Sequence, residues 1–171
     1  IDKAIFPGLQ GGPMMMSIAA KAVAFHEALQ PEFIKYQQQV IDNARVMAEC
    51  FMSCGYKIVS SKTESHLFIV KLDDKNLTGK DVEAWLAGIG LLVNKNTIPG
   101  DKQSPFVTSG IRIGTCAITT RGLAAKQAKE LALLMVEAID NIGNKESQAN
   151  IAAQVKSLTK QHPLYSNLVE A

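Results

Sequence analysis

The spacing of apolar residues changes at Gly55, and that change limits the fold more than any other feature. Before it, Phe33, Tyr36, Val40, Ile41, Ala44, Met47, Ala48 and Phe51 recur on one helical face. After it, "YKIVSS" and "HLFIVKL" are short, rich in β-branched and aromatic residues, and joined by a polar stretch. That is the pattern of strands, near 56–60 and 66–72. Gly55 itself suits the residue just past a helix, where φ > 0 is required.

The same reading extends both ways. Met15, Ile18, Ala19, Ala22 and Val23 place a helix over 14–29. Pro13 suits its first position, because the missing N–H costs nothing there, and Pro31 marks a break or kink. Downstream, Thr78 with Asp81 resembles a capping box opening a helix that carries Val82, Trp85, Leu86 and Ile89. Gly88 and Gly90 end it. "LLVNKN" and "SGIRIGT" are two further strands, with the loop "TIPGDKQSPF" between them. A long helix starts at Thr119 or Thr120 as N-cap, carries Leu123, Ala128, Leu131, Met135, Ala138 and Ile142, and stops at Gly143. Ser147 caps a last short helix that His162–Pro163 terminates. Strands interspersed with helices in this order predict an α+β fold: a small, largely antiparallel sheet with helices on one face. The first two helices form a lever leading into it.

Composition narrows the partners. The 171 residues, 47% apolar and 6% aromatic, suit one aliphatic-cored domain or one domain plus a piece of another. A net charge of +2 is too balanced to suggest nucleic-acid binding by charge. No apolar run has transmembrane length. Cys50, Cys54 and Cys116 make an odd count without a framework, as expected of free thiols in a reducing compartment. Cys50 and Cys54 share a helical face, but no further His or Cys follows at zinc spacing, so helix packing is the expectation and no metal site is assigned. The chain begins with isoleucine, so upstream sequence is expected.

Few residues are candidates for chemistry. Of three arginines, Arg45, Arg112 and Arg121, only Arg112 lies inside a strand, between Gly110 and Gly114. Glycines in a strand often mark close approach by a ligand or another backbone, and a guanidinium fork matches a carboxylate. Arg112 is therefore a candidate carboxylate anchor, against the plainer reading of a strand arginine with its head in water. "FPGLQGGP" (6–13) precedes a helix, whose N-terminus offers free N–H groups to a phosphate. Its spacing matches no nucleotide-binding fingerprint, so a surface turn competes. Asn94, Lys95 and Asn96 offer amides and an ammonium to a polar ligand, or simply cap a turn. His66 opens a strand with no nucleophile motif beside it. His26 and His162 are unremarkable.

Taken together, "FPGLQGGP", "YQQQV", "DDKNLTGKD", "VNKNTIPGD", "SPFVTSGIRIGT" and "ITTRG" closely resemble the C-terminal part of bacterial serine hydroxymethyltransferases. The match runs from Ile1 to about Ile142, and less closely over 147–165. The resemblance implies a fold-type I pyridoxal 5'-phosphate enzyme of the cytoplasm. It would be a transferase of one-carbon metabolism and amino-acid biosynthesis that interconverts serine and glycine and passes the one-carbon unit to tetrahydrofolate. Residues 1–30 would be the end of the cofactor-binding large domain with its connecting helix, and 31–171 the C-terminal small domain. The family's roles fall on Gly11 and Gly12 for the cofactor phosphate of a neighbouring subunit, so a homodimer with shared sites is implied. They fall on Arg112 for the substrate carboxylate, and on Asn96, Ser104, Pro105 and Phe106 for the folate. No catalytic residue is expected in this chain. The family's cofactor-anchoring lysine, proton-transfer glutamate and pyridinium-pairing aspartate lie upstream, and neither Lys21 nor Lys95 has that lysine's context. Another fold-type I enzyme, an acyltransferase or aminotransferase, and a non-catalytic binding module are the alternatives. The "VNKNTIP" and "SPF" segments argue against the first, and the missing initiator methionine against the second.

Overall fold

A computed structural model describes residues 1–164. It divides into two compact units, Ile1–Lys35 and the part from Tyr36 onward. The end of the domain expected over 31–171, and residue 165 of the segment 147–165, lie outside the described residues.

In the first unit, Ala4–Leu9 forms wide helical turns interrupted at Phe6 and Pro7, and the chain extends at Gln10. Helix α1 (Met15–Ala28) follows, with none of its residues buried. Pro13 does not start it. Met14 is the N-cap residue, in extended conformation and without a side-chain cap. Helix α2 (Pro31–Ser53) begins at Pro31, the position where a helix tolerates proline best.

The second unit is α+β. From Tyr36 onward α2 lays Val40, Ala44, Met47, Ala48 and Phe51 into the core, and Gly55 beyond its end has φ +83. Strands β1 (Lys57–Ile58), β2 (Leu67–Lys71), β3 (Asn94–Asn96) and β4 (Gly110–Gly114) form one sheet in the order β1-β2-β4-β3, antiparallel throughout. Alternation along the strands gives the sheet two unlike faces. Ile58, Phe68, Val70, Ile111 and Ile113 are buried in one core cluster with residues of α2, α3 (Gly79–Ala87), α5 (Ala125–Asp140) and α6 (Lys145–Gln161). Phe51 sits at its centre, edge-on to Tyr56 at 5.5 Å and to Phe68 at 5.8 Å between ring centroids. On the other face Leu67, Ile69 and Lys71 are only half-buried, and Arg112 is exposed.

Several elements differ from the sequence-based expectation, each for a local reason. The first strand stops after two residues because Ser60 and Ser61 take φ +65 and +54, outside the extended region. "LLVNKN" pairs only from Asn94. Before it, the Leu91 N–H returns to the Leu86 carbonyl at 3.0 Å and closes the end of α3. The helix expected to start at Thr119 or Thr120 is two helices. Both threonines end the short α4 (Cys116–Thr120), Gly122 turns the chain at φ +86, and α5 starts after Ala124. The last helix is longer than expected, and its cap is Asn144, whose Oδ1 accepts from the Glu146 and Ser147 N–H groups at 3.1 Å each. Thr78 does cap α3, accepting from the Asp81 N–H at 3.1 Å.

A polar seam joins α2 to the segment after β4. The Asn43 amide, fully buried, donates to Thr119 Oγ1 at 3.0 Å and to the Leu123 carbonyl at 2.8 Å. Thr115 Oγ1 donates to the Val40 carbonyl at 2.8 Å. These bonds satisfy polar groups that burial would otherwise penalise, and they fix where β4 ends. Cys50 lies in the core at 4% exposure, and burial pushes its thiol up, the state of an inert packing cysteine. Among the described residues no group of three metal-ligating side chains gathers, and no helix is long and apolar enough to cross a membrane.

Candidate functional site

The open face of the sheet carries the strongest candidate. Arg112 stands between Ile69 of β2 and Asn94 of β3, its Cα partners on either side. Its Nη2 donates to Asn94 Oδ1 at 3.1 Å. The three arginines now separate by environment. Arg45 pairs with Asp42 at 3.7 Å, one helical turn away. Arg121 Nη1 donates to the His162 carbonyl at 3.0 Å and so closes the end of α6. Arg112 forms no ion pair among the described residues, so its full charge is available on an exposed face. A carboxylate arriving there meets an unneutralised planar fork.

The flanking glycines have different reasons. A Cβ on Gly110 would come within 2.7 Å of Ile98 Cγ2 and 3.0 Å of the Asn96 and Val70 carbonyl oxygens. The close approach there is by the Ile98 side chain and the chain's own backbone, not by a ligand. Gly114 is open, with only the His66 carbonyl oxygen at 3.9 Å. His66 contributes that carbonyl to Thr115 and acts through its backbone.

"NKN" does not act as one group. The two-residue period puts Asn94 and Asn96 on the face of Arg112 and Lys95 on the other. Lys95 is bound there to Glu83 of α3, its N–H at 3.0 Å from Oε1 and its Nζ at 3.4 Å from Oε2. Asn96 Nδ2 donates to the Thr97 carbonyl at 2.7 Å, which leaves Oδ1 as its open acceptor among the described residues.

Ser104, Pro105 and Phe106 form an exposed turn, with Phe106 83% exposed. The Ser104 carbonyl accepts from the Val107 and Thr108 N–H groups at 3.0 Å each. The residue that organises this loop is Asp101, which the sequence reading passed over. Its Oδ2 accepts from the N–H groups of Ile98 (3.2 Å) and Ser109 (2.9 Å). Its Oδ1 accepts from the Gln103 N–H (2.9 Å) and the Ser109 hydroxyl (2.6 Å). An aspartate after Pro-Gly, a turn-former that bonds the backbone two residues on, was the available signal. The bonds to Ser109, eight residues away, had none. The loop is also held to α3, because the Gly79 and Lys80 N–H groups donate to the Thr108 and Val107 carbonyls at 2.9 and 3.0 Å. Gly79 has no room for a side chain: a Cβ would collide with Thr108 Oγ1 and the Gly110 carbonyl oxygen.

Burial opposes ionisation of Asp101, but the Ser109 hydroxyl and the three N–H groups outweigh it and hold its pKa at about 2. A carboxyl depressed on folding stabilises the fold above its unfolded pKa, and the stabilisation is lost as pH falls through the folded value. The loop is thus expected to loosen between about pH 4 and about pH 2. Asp101→Ala removes that dependence and leaves the buried Ser109 N–H without its acceptor, a loss of about 1–3 kcal/mol. Thermal unfolding of both proteins across that pH range checks it. Equal acid sensitivity in wild type and variant contradicts the assignment.

Gly11 and Gly12 belong to the first unit and are exposed. A Cβ on either would meet nothing within 4 Å. Their N–H groups have no acceptor among the described residues. These N–H groups, with open space beside them ahead of α1, are donors that an anionic oxygen can reach.

A family model described as "Serine hydroxymethyltransferase" matches residues 1–135. "Serine hydroxymethyltransferase 2" of Pseudomonas savastanoi pv. phaseolicola is 52% identical over 164 residues, covering 96% of this chain and 39% of that protein. "Serine hydroxymethyltransferase" of Alkalilimnicola ehrlichii is 52% identical over 165 residues, with shares of 96% and 39%. The Coxiella burnetii protein of that name is 51% identical over 168 residues, with shares of 98% and 40%. The chain spans about two fifths of the length of these curated relatives.

Proposed function

The chain belongs to the serine hydroxymethyltransferase family, and from that membership we propose that it serves as the C-terminal part of a glycine hydroxymethyltransferase. The reaction interconverts serine and glycine and passes the one-carbon unit to tetrahydrofolate. The observation that carries this reading is Arg112: a guanidinium without an ion pair among the described residues, on the open sheet face and held by a neutral side chain. It binds the amino-acid carboxylate through its remaining N–H groups and so orients the rest of the substrate.

The other roles follow from what each segment offers. The N–H groups of Gly11 and Gly12 hold the phosphate of pyridoxal phosphate, in a site shared with a second subunit of a cytoplasmic homodimer. When bound, that cofactor supplies the electron sink for bond cleavage at the amino acid's α-carbon. Asn96 presents Oδ1, and the turn Ser104–Phe106 presents an exposed aromatic ring, to tetrahydrofolate. Asp101 keeps that turn in one shape before the folate arrives. The division of the protein into an end of the large domain, 1–30, and a small domain, 31–171, belongs to the same proposal.

The full-length protein that carries this chain tests it. With pyridoxal phosphate bound, it is expected to convert serine to glycine in a tetrahydrofolate-dependent reaction. Transfer of the amino group to a keto acid, with no folate-dependent loss of serine, would replace this reading with that of an aminotransferase.

A further inference from the structure

Asn94 lies opposite Arg112 in the β3–β4 ladder, and the two side chains share the open face of the sheet. Its Oδ1 accepts from Arg112 Nη2 at 3.1 Å. Strand β3 is an edge strand of three residues, which on its own would be poorly held. Lys95 corrects that from the opposite face, where its N–H and Nζ both bind the Glu83 carboxylate. The backbone beside Asn94 is thus bolted to α3, and Asn94 gives Arg112 a fixed point of reference.

The chemistry of the pair matters as much as its geometry. A guanidinium is planar, so fixing Nη2 limits the plane in which the other N–H groups lie. An asparagine does this without cancelling the charge. A carboxylate in its place would hold the fork as well or better and offset its charge. We propose that Asn94 is a positioning residue for amino-acid binding, aiming the Arg112 fork at the substrate carboxylate while leaving its charge intact. The inference rests on the reading of Arg112 as the carboxylate anchor.

The test uses the full-length protein carrying this chain. Asn94→Ala is expected to raise the KM for serine about fivefold, the scale of one ordinary net hydrogen bond, since both side chains are exposed. The kcat, the KM for tetrahydrofolate and the thermal midpoint stay unchanged. Asn94→Asp, which keeps the acceptor, is expected to raise the serine KM further, by more than about tenfold, because its charge opposes the incoming carboxylate. A purely structural role predicts the reverse order, with Asp as good as Asn. Added to Arg112→Lys, Asn94→Ala is expected to raise the KM no further. An unchanged serine KM in Asn94→Ala, or wild-type behaviour of Asn94→Asp, overturns the inference while leaving Arg112 in its role. An unchanged serine KM in Arg112→Lys overturns both.

Discussion

Arg112→Lys in the full-length protein is expected to raise the KM for serine and the dissociation constant for glycine by more than about tenfold, the scale of a lost charge-assisted hydrogen bond. Lysine keeps the charge but not the planar fork, so a bidentate contact becomes a single one. The change should be confined to amino-acid binding. Arg112 is exposed, and its one hydrogen bond among the described residues is to another exposed side chain, so little of the fold depends on it. The thermal midpoint and the absorbance of bound cofactor are expected to match wild type. Titration of glycine, followed by that absorbance, separates these quantities. Wild-type glycine affinity in the variant would remove Arg112 from the anchor role.

Much of this fold is legible along the chain where a pattern is long or a residue is conformationally demanding. The stripe from Phe33 to Phe51 predicts α2, and Gly55 and Gly143, at φ +83 and +93, stand just beyond α2 and α5. The short runs "HLFIVKL" and "SGIRIGT" predict β2 and β4, while which face of each is buried is set by the ladder. What escapes is short-range and tertiary. Ser60 and Ser61 turn the chain in the left-handed region, though nothing in "VSS" demands it. Thr119 looks like an N-cap but uses its hydroxyl on the Thr115 carbonyl and on Asn43 across the core. Apolar spacing ran on through Gly122, because Leu123 is buried although it lies outside α5.

The candidate site divides in the same way. Arg112 was legible because an arginine in a glycine-flanked strand is uncommon. Its partner Asn94 reads in the sequence as a ligand-binding or turn-capping amide beside Lys95 and Asn96, since the face each residue takes depends on the ladder register. Lys95 left the group for the same reason. Asp101 carries only a local turn signal, because its strongest partner, Ser109, is reached only when the loop closes. The glycine reading was half right in kind: Gly110 marks close approach, but by Ile98 and the backbone of β2 and β3.

The central claim is that this chain supplies binding groups and not the chemistry. Serine cleavage on pyridoxal phosphate requires an amine that holds the cofactor and groups that move protons at the reacting carbon. The lysine nearest Arg112 in the ladder, Lys95, is on the opposite face and bound to Glu83. Lys57 and Lys71 pair with Asp74 and Asp73 at 2.6 and 3.7 Å. None of these is an unpaired amine beside the guanidinium. The direct measurement is serine cleavage by the 171 residues alone, supplied with pyridoxal phosphate and tetrahydrofolate, beside the full-length protein under the same conditions. The account predicts turnover by the full-length protein and none above background by the chain alone. Turnover by the 171 residues at a rate comparable to the full-length protein would contradict it.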